Sequence, residues 1–268
     1  MKMKPSSAWR PNRSLERGIS ILRTFNSGVA TRSNLEIAEL TGLSKATVSR
    51  LARTLAICGL LEQDRTTNAY RLSHSVLGLA EAWLANFELL RVAAPIMNKV
   101  SSELRVNVSM VAPDKYEMIY LHSVRQPMAG IPRRIERGHR TPMEYPSYGR
   151  VYLAILGKEE RNKLFGIFRK RTPEHSWPAL KAAIDASITQ FHKQGYCIGR
   201  WMPGTTAFSS PVLIRRHVPY VVSFGIETDS WTESRIKAEL VPSLLQLCQD
   251  LQRAMEQPPE AARAAGSK

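Results

Sequence analysis

Apolar residues recur every three or four positions through Leu15, Ile19, Leu22 and Phe25, a spacing that predicts an amphipathic helix with one face seeking a partner. Ser14 stands where it can cap that helix, with Arg17 at the N3 position, and Asn26-Ser27-Gly28 stops it. Two shorter helical patterns follow in the stretch LEIAELTGLSKATVSRLARTLAICGL, residues 35–60. Ser33 or Asn34 caps the first, which ends at Leu40. The second begins at Ser44 and repeats Val48, Leu51 and Leu55. Between them Thr41-Gly42 makes the turn, and Gly42 supplies a residue free to take positive φ. Ala38, Leu40, Leu43, Val48 and Leu51 are expected to form a knot between two crossed helices. After Gly59 the pattern shortens. Leu60–Asp64 and Ala69–Leu72 read as two short strands, and Arg65-Thr66-Thr67-Asn68 as their polar turn, so a hairpin follows three helices as a wing.

From Ser73 to Leu90 one broad stripe (Val76, Leu77, Leu79, Ala80, Trp83, Leu84, Phe87, Leu90) predicts a helix. It could pair with its copy in a second subunit or belong to the core of one domain, and the stripe alone does not separate these. A helix over 92–104 with Pro95 in its first turn comes next. Alternation then predicts a β-hairpin over Val106–Pro113 and Glu117–Arg125. Ser147-Tyr148-Gly149-Arg150 leads into a helix over 151–156. Lys158–Phe168 and Trp177–Gln194 are further helices, the latter stopped by Gly195. Ala207–Ile214 and Tyr220–Ile226 form a second hairpin, and Thr232–Ala254 a closing helix. The expected fold class is α+β: a disordered basic arm over 1–12, a winged helix–turn–helix domain over 13–73, a linker helix over 74–91, a helix-on-antiparallel-sheet domain over 92–255, and a disordered tail over 256–268.

Charge sharpens this picture. The 268 residues carry a formal net charge of +15, which argues for a polyanionic partner, nucleic acid first and anionic membrane second. Residues 1–72 hold 12 Lys/Arg against 5 Asp/Glu. On the second short helix the outward positions are Ser44, Lys45, Thr47, Ser49, Arg50 and Arg53, all hydrogen-bond donors. That is the chemistry of a helix laid in the major groove of double-stranded DNA, with Lys45, Thr47, Ser49 and Arg50 nearest the bases. Arg53, Arg65 at the hairpin tip, Arg32, and the arm residues Arg10 and Arg13 suit phosphates or the minor groove. A dimer would set two such helices about 34 Å apart on a near-palindromic operator.

Other chemistry is thin. No apolar run approaches the roughly 18 residues a membrane span needs, and the basic N-terminus lacks a secretion signal's apolar stretch, so a cytoplasmic protein without membrane partners is expected. Cys58, Cys197 and Cys248 are an odd, scattered set that reads as buried thiols rather than a disulfide or zinc framework. Cys58 is expected in the core, and Cys197 near a ligand. The six histidines show no HExxH spacing, and GxSxG, P-loop and GxGxxG motifs are absent, so neither an enzyme nor a cofactor is expected. The segment from Arg125 to Arg140, with Arg133, Arg134, Arg137 and His139, reads as a solvated loop or as a lure for an anion.

The pattern SLERGISILRTF, EIAELTGLSKATVSRLARTL, GLLEQD…YRL and LGLA resembles the IclR family of bacterial transcriptional regulators. The resemblance continues through APIMNKVSSEL, PSYGRVYLAIL, GYCIG and FSSPVLIRRHVPYVVSFGIE, and covers roughly residues 13–255. It implies a winged helix–turn–helix head, a linker helix that dimerises, and a GAF-like effector-binding domain. It further implies homodimers, often paired as tetramers, and a small organic acid from catabolism as effector. Carried onto this chain, the effector site falls on Tyr148, Gly149, Arg150, Cys197, Trp201, Ala207, Phe224 and Ile226. Members that bind small keto acids carry an acidic residue after the Gly-Tyr element, whereas here Gly195-Tyr196-Cys197-Ile198 is followed by Gly199-Arg200-Trp201. With Tyr148 before the family's glycine, an aromatic or apolar ligand is expected, or none. The alternative is a small-molecule binding protein whose DNA-binding head is vestigial.

Overall fold

The computed structural model describes residues 11–25, 29–126, 135–215 and 217–256. Expectations for Arg10 and the basic arm before it, for Asn26-Ser27-Gly28, for Arg133 and Arg134, and for the tail beyond residue 256 lie outside the described residues. The chain divides into two compact units, 1–87 and 88–268.

In the first unit α1 (Arg13–Leu22), α2 (Asn34–Thr41) and α3 (Lys45–Ile57) precede a hairpin of β1 (Leu61–Gln63) and β2 (Tyr70–Leu72). Local chemistry sets each boundary. Asn12, not Ser14, caps α1, its side-chain oxygen accepting from the backbone N–H groups of Ser14 and Leu15. Ser33 and Glu36 form a reciprocal capping box on α2. Gly42 ends α2 at φ 68°, and Ser44 caps α3 by accepting from the Thr47 N–H. The core gathers Ile21, Phe25, Ile37, Ala38, Val48, Leu51, Ala52, Leu61 and Tyr70. Leu15 and Ile19, expected on the inward stripe of α1, are 63% and 41% exposed, and Ile21 is buried in their stead. Leu40, expected in the knot, is 57% exposed, because α2 turns Ile37 and Ala38 inward. Arg32 and Tyr70 exchange both backbone hydrogen bonds, which ties the chain entering α2 to the second wing strand.

The stripe expected as one helix is broken. α4 (Ser75–Ala85) ends at Asn86, and α5 (Glu88–Leu104) begins afresh. Starting α5 that early puts Pro95 in its interior rather than its first turn, where it forgoes the bond to the Arg91 carbonyl.

The second unit is a six-stranded antiparallel sheet in the order β5-β4-β3-β8-β7-β6. Its strands are β3 (Asn107–Asp114), β4 (Glu117–Val124), β5 (Arg140–Pro142), β6 (Cys197–Gly199), β7 (Thr205–Val212) and β8 (Tyr220–Glu227). α5 and the closing helix α10 (Val241–Glu256) pack on one face. A short turn α9 (Glu233–Arg235) and a π-wound turn (Ile236–Leu240) lead into α10. On the other face α6 (Ser147–Ile155), α7 (Lys158–Arg171) and α8 (Trp177–Gln194) close over a core that includes Val111, Met118, Tyr120, Tyr148, Val151, Phe168, Ile184 and Val221. The short edge strands β5 and β6 carry too few residues to show alternation, and periodicity did not signal them.

One irregularity shapes this face. Met110 pairs with His122 while its neighbour Val111 pairs with Tyr120, so Leu121 is an extra residue in β4. The Leu121 carbonyl accepts a bond from Arg137 Nε at 3.0 Å. Arg140 pairs with Asp114 and Glu117. These two cations of the 125–140 segment therefore hold the sheet edge together rather than waiting on an anion.

Candidate nucleic-acid interface and ligand cavity

On α3 the inward residues Val48, Leu51 and Ala52 are buried, which turns Lys45, Ser49, Arg50 and Arg53 to solvent. Ser44 and Thr47 do double duty. Ser44 Oγ lies 2.9 Å from Thr47 Oγ1 and also caps the helix, so both hydroxyls have partners within the first turn. Arg13 and Arg65 are exposed. The wing turn that carries Arg65 is stiffened by Asp64, whose side chain accepts from the N–H groups of Thr66 and Thr67. Those bonds hold the Asp64 carboxyl below its usual pKa. Among the described residues none of Arg13, Lys45, Arg50, Arg53 and Arg65 is paired with a carboxylate. Arg32 differs, being half-buried with its Nε bonded to the Thr24 carbonyl at 2.8 Å. Cys58, expected in the core, is exposed at the end of α3 because the helix has turned that position outward.

The second unit holds a cavity on the α6 face of its sheet, with about 720 Å³ of space free of protein atoms, solvent at its mouth included. Register builds its floor. Ser123, Ser109, Ser223 and Ser209 are successive cross-strand partners on β4, β3, β8 and β7, and Cys197 on β6 continues the row. Ser109 and Ser123 hydroxyls lie 3.1 Å apart, Ser209 donates to Ser223 at 2.9 Å, and Ser147 at the start of α6 lies 2.7 Å from Ser209. One step along the strands runs a second row, Asn107, Gly225, Ala207 and Gly199. Aromatic walls complete the site. The Tyr120 hydroxyl donates to that of Tyr148 at 2.9 Å, and Trp201 stacks on Tyr145. Among the described residues that line it, Arg125 is the one ionised side chain and none is a carboxylate. α6 starts at Ser147, not Val151, and its N-cap Pro146 has no side-chain oxygen to bond the first-turn N–H groups, so the helix presents a positive end at the cavity wall.

Of the residues expected at an effector site, Tyr148, Trp201 and Ala207 line the cavity. Phe224 and Ile226 do not. Their strand neighbours Ser223 and Gly225 do, and alternation sends Phe224 and Ile226 to the α5/α10 face, where Phe224 meets Phe208 edge-on at 5.8 Å. Gly149 is a packing residue, since a Cβ there would stand 1.9 Å from the Met143 carbonyl oxygen. Arg150 turns away from the cavity to the Glu144 carbonyl and the Ser187 hydroxyl, and burial lowers its pKa. Cys197 is buried, its thiol donating to the Ser187 carbonyl at 3.2 Å, and burial pushes its pKa up to about 12, against the opposing pull of Arg150. Asn107, Ser109, Ser123, Ser147, Gly199, Ser223 and Gly225 are among the lining residues that sequence reasoning missed. No periodicity links positions spread over β3, β4, β6, β8 and the start of α6. No helix among the described residues is long and apolar enough to cross a membrane.

A winged helix–turn–helix head whose α3 cations meet no carboxylate among the described residues, carried with an α+β unit that holds a polar-floored cavity, is the build of a ligand-responsive transcription regulator. The IclR helix-turn-helix domain matches residues 14–65, and the bacterial transcriptional regulator IclR C-terminal domain matches residues 81–253. The chain belongs to the IclR family. It is 28% identical over 248 residues to the HTH-type transcriptional regulator TsaQ1/TsaQ2 of Comamonas testosteroni, covering 90% of this chain and 88% of that one. The crystal structure of an IclR family transcriptional regulator from Brucella abortus is 30% identical, with a TM-score of 0.83 over 91% of this chain and 93% of that one. An IclR homolog from Microbacterium hydrocarbonoxydans, solved as a complex with 4-hydroxybenzoate, shares the fold at 19% identity, with a TM-score of 0.68 over 91% of this chain and 99% of that one.

Proposed function

We propose that this chain is a cytoplasmic regulator of catabolic genes that binds a near-palindromic operator as a homodimer, or a pair of homodimers, and answers to a small aromatic acid held in the cavity of its second unit. The observation that carries the effector reading is the meeting of the α6 N-terminus with the serine row in a cavity that no carboxylate lines among the described residues. Hydroxyl donors and a helix N-terminus together suit an anion, and the Tyr120, Tyr148 and Trp201 rings suit an aromatic body. The Microbacterium homolog's 4-hydroxybenzoate complex makes that acid the first compound to try.

At the DNA, Lys45, Ser49 and Arg50 reach base edges from α3. Arg13, Arg53 and Arg65 meet phosphates or the minor groove, while Ser44, Thr47 and Arg32 position the helix. α4 supports the dimer reading, since Leu77, Leu79 and Trp83 are 62%, 66% and 47% exposed and no α4 residue is buried. Ligand changes DNA affinity to the extent that it binds the two arrangements of the heads unequally.

Footprinting of the promoters flanking the gene, with and without 4-hydroxybenzoate and related acids, tests this. A symmetric protected site whose occupancy changes with acid is expected. No preference for any two-fold symmetric fragment over bulk DNA would sink the regulator reading and favour a ligand-binding protein with a vestigial head.

A further inference from the structure

Resting on that effector reading, we propose that Gly199, with Ala207 and Gly225, forms a flat shelf that seats the ring of the ligand, and that the absence of a side chain at Gly199 is what sets the specificity of the cavity. The three residues are direct partners on β6, β7 and β8, and all line the cavity. Two strand spacings of about 4.8 Å make the shelf about 10 Å long, with one methyl group as its only side-chain atom. The serine row borders it on one side. Thr205, on the same face of β7 two residues on, borders it on the other. A planar ring can lie on exposed peptide here, as on few other parts of the sheet, because every other row on this face carries side chains beyond Cβ.

Gly199 also decides what meets the acid group. A Cβ built on it stands 3.5 Å from both the backbone nitrogen and the Cβ of Ser147. That is ordinary contact, so alanine fits. Any longer side chain would extend over the first turn of α6, where the ligand's anionic end finds its donors, and a carboxylate would bring a second negative charge to that end. With glycine there, the helix end stays open at one end of the shelf. Tyr148 follows Ser147 in that first turn, and Trp201 and Met202 also line the cavity. The chemical class that fits is a ring-bearing monoanion, its acid group toward Ser147 and Ser223 and its ring across Ala207 and Gly225.

Titration calorimetry on the full chain with 4-hydroxybenzoate, benzoate and the ringless anion pyruvate tests this. The wild type should bind a ring acid at least about tenfold more tightly than pyruvate, the scale on which one methylene in a pocket discriminates. Ala207→Val should lose about tenfold or more for the ring acid and leave pyruvate within about threefold, whereas Gly199→Val, which also reaches over the α6 end, should lose about tenfold or more for the ring acid and weaken pyruvate as well; both should retain operator binding. Ala207→Val repeats the test at a second strand should Gly199→Val lower the melting temperature. Variants that keep the wild-type affinity for ring acids overturn the shelf and leave the effector reading standing. A wild type that prefers pyruvate overturns ring selection and with it the aromatic class of the effector while leaving an acid site in the cavity, and one that binds none of the three acids overturns both the shelf and the effector reading.

Discussion

The Ser147 hydroxyl lies 2.7 Å from that of Ser209, which itself donates to Ser223 at 2.9 Å. The first turn of α6 is thus pinned to the centre of the sheet through a fully buried side chain that does not itself line the cavity. Ser209→Ala would leave two hydroxyls short of a partner, and leaving one buried group unpaired costs about 1–3 kcal/mol. Denaturant unfolding should show a loss of that order. Calorimetry should show weaker effector binding as Ser147 loosens, with operator affinity in the absence of ligand unchanged.

Gly149 makes a second, stricter demand. Because a Cβ at this position meets the Met143 backbone 1.9 Å away, no side-chain rotation relieves it, and α6 must shift. Gly149→Ala should destabilise the second unit by at least the roughly 1–3 kcal/mol typical of overpacking. Circular dichroism melts should show an early transition for that unit, and effector binding should be lost. An unchanged melt would mean that α6 can slide without cost.

Arg50 is exposed on α3 without a carboxylate partner, so removing it should leave the fold intact. Arg50→Ala should weaken specific operator binding by about 1–3 kcal/mol and relax preference at one base position. Ser44→Ala should instead cost about 1 kcal/mol of stability through the lost cap, and DNA affinity only indirectly. Mobility-shift titrations of both variants against matched and mismatched sites, alongside their melts, separate the reader of DNA from the residue that holds the reader.

Burial pushes both Cys197 and Cys248 up to about 12, whereas an unfolded thiol titrates near 8.5. Above about pH 8.5 the unfolded chain releases protons that the folded chain keeps. The stabilisation is whole below that pH and drains as pH rises toward 12, by up to about 1.4 kcal/mol per pH unit for each thiol. Denaturation at pH 8 and pH 10 should show the fall, and a Cys197→Ala/Cys248→Ala variant should lack that component. At pH 8 native protein should present one fast thiol to a disulfide reagent, Cys58, and three after unfolding.

Caps and turns were legible because their chemistry is local. Gly42 and Gly195 each follow from one residue, and the α2 cap was narrowed to Ser33 or Asn34, although the α1 cap was placed at Ser14 where Asn12 provides it. The three-helix head and its hairpin followed from changes in apolar period, although Leu15, Ile19 and Leu40 fit the helical stripe and still face solvent. The cavity was harder. β8 is buried on both faces, so its run of apolar residues gives no alternation from which to tell inward from outward. Assigning Phe224 and Ile226 to the ligand was a slip of one position, and on a strand that selects the wrong face. Ser109, Ser123, Ser209 and Ser223 meet only because four strands are in register, a relation no local pattern encodes.

The extra residue in β4 has a consequence for how this wall could evolve. Tyr120 and Ser123 both look into the cavity, although residues an odd number apart on an unbroken strand look opposite ways. Leu121 is the insertion that reconciles them, and deleting that single leucine would leave Val111, Met110 and Ser109 opposite Tyr120, His122 and Ser123 in unbroken register, with the phenol and the hydroxyl still on the cavity face. What such a deletion would take away is the carbonyl that anchors Arg137, so the cavity wall can outlive the bulge while the segment beside it loses its tether.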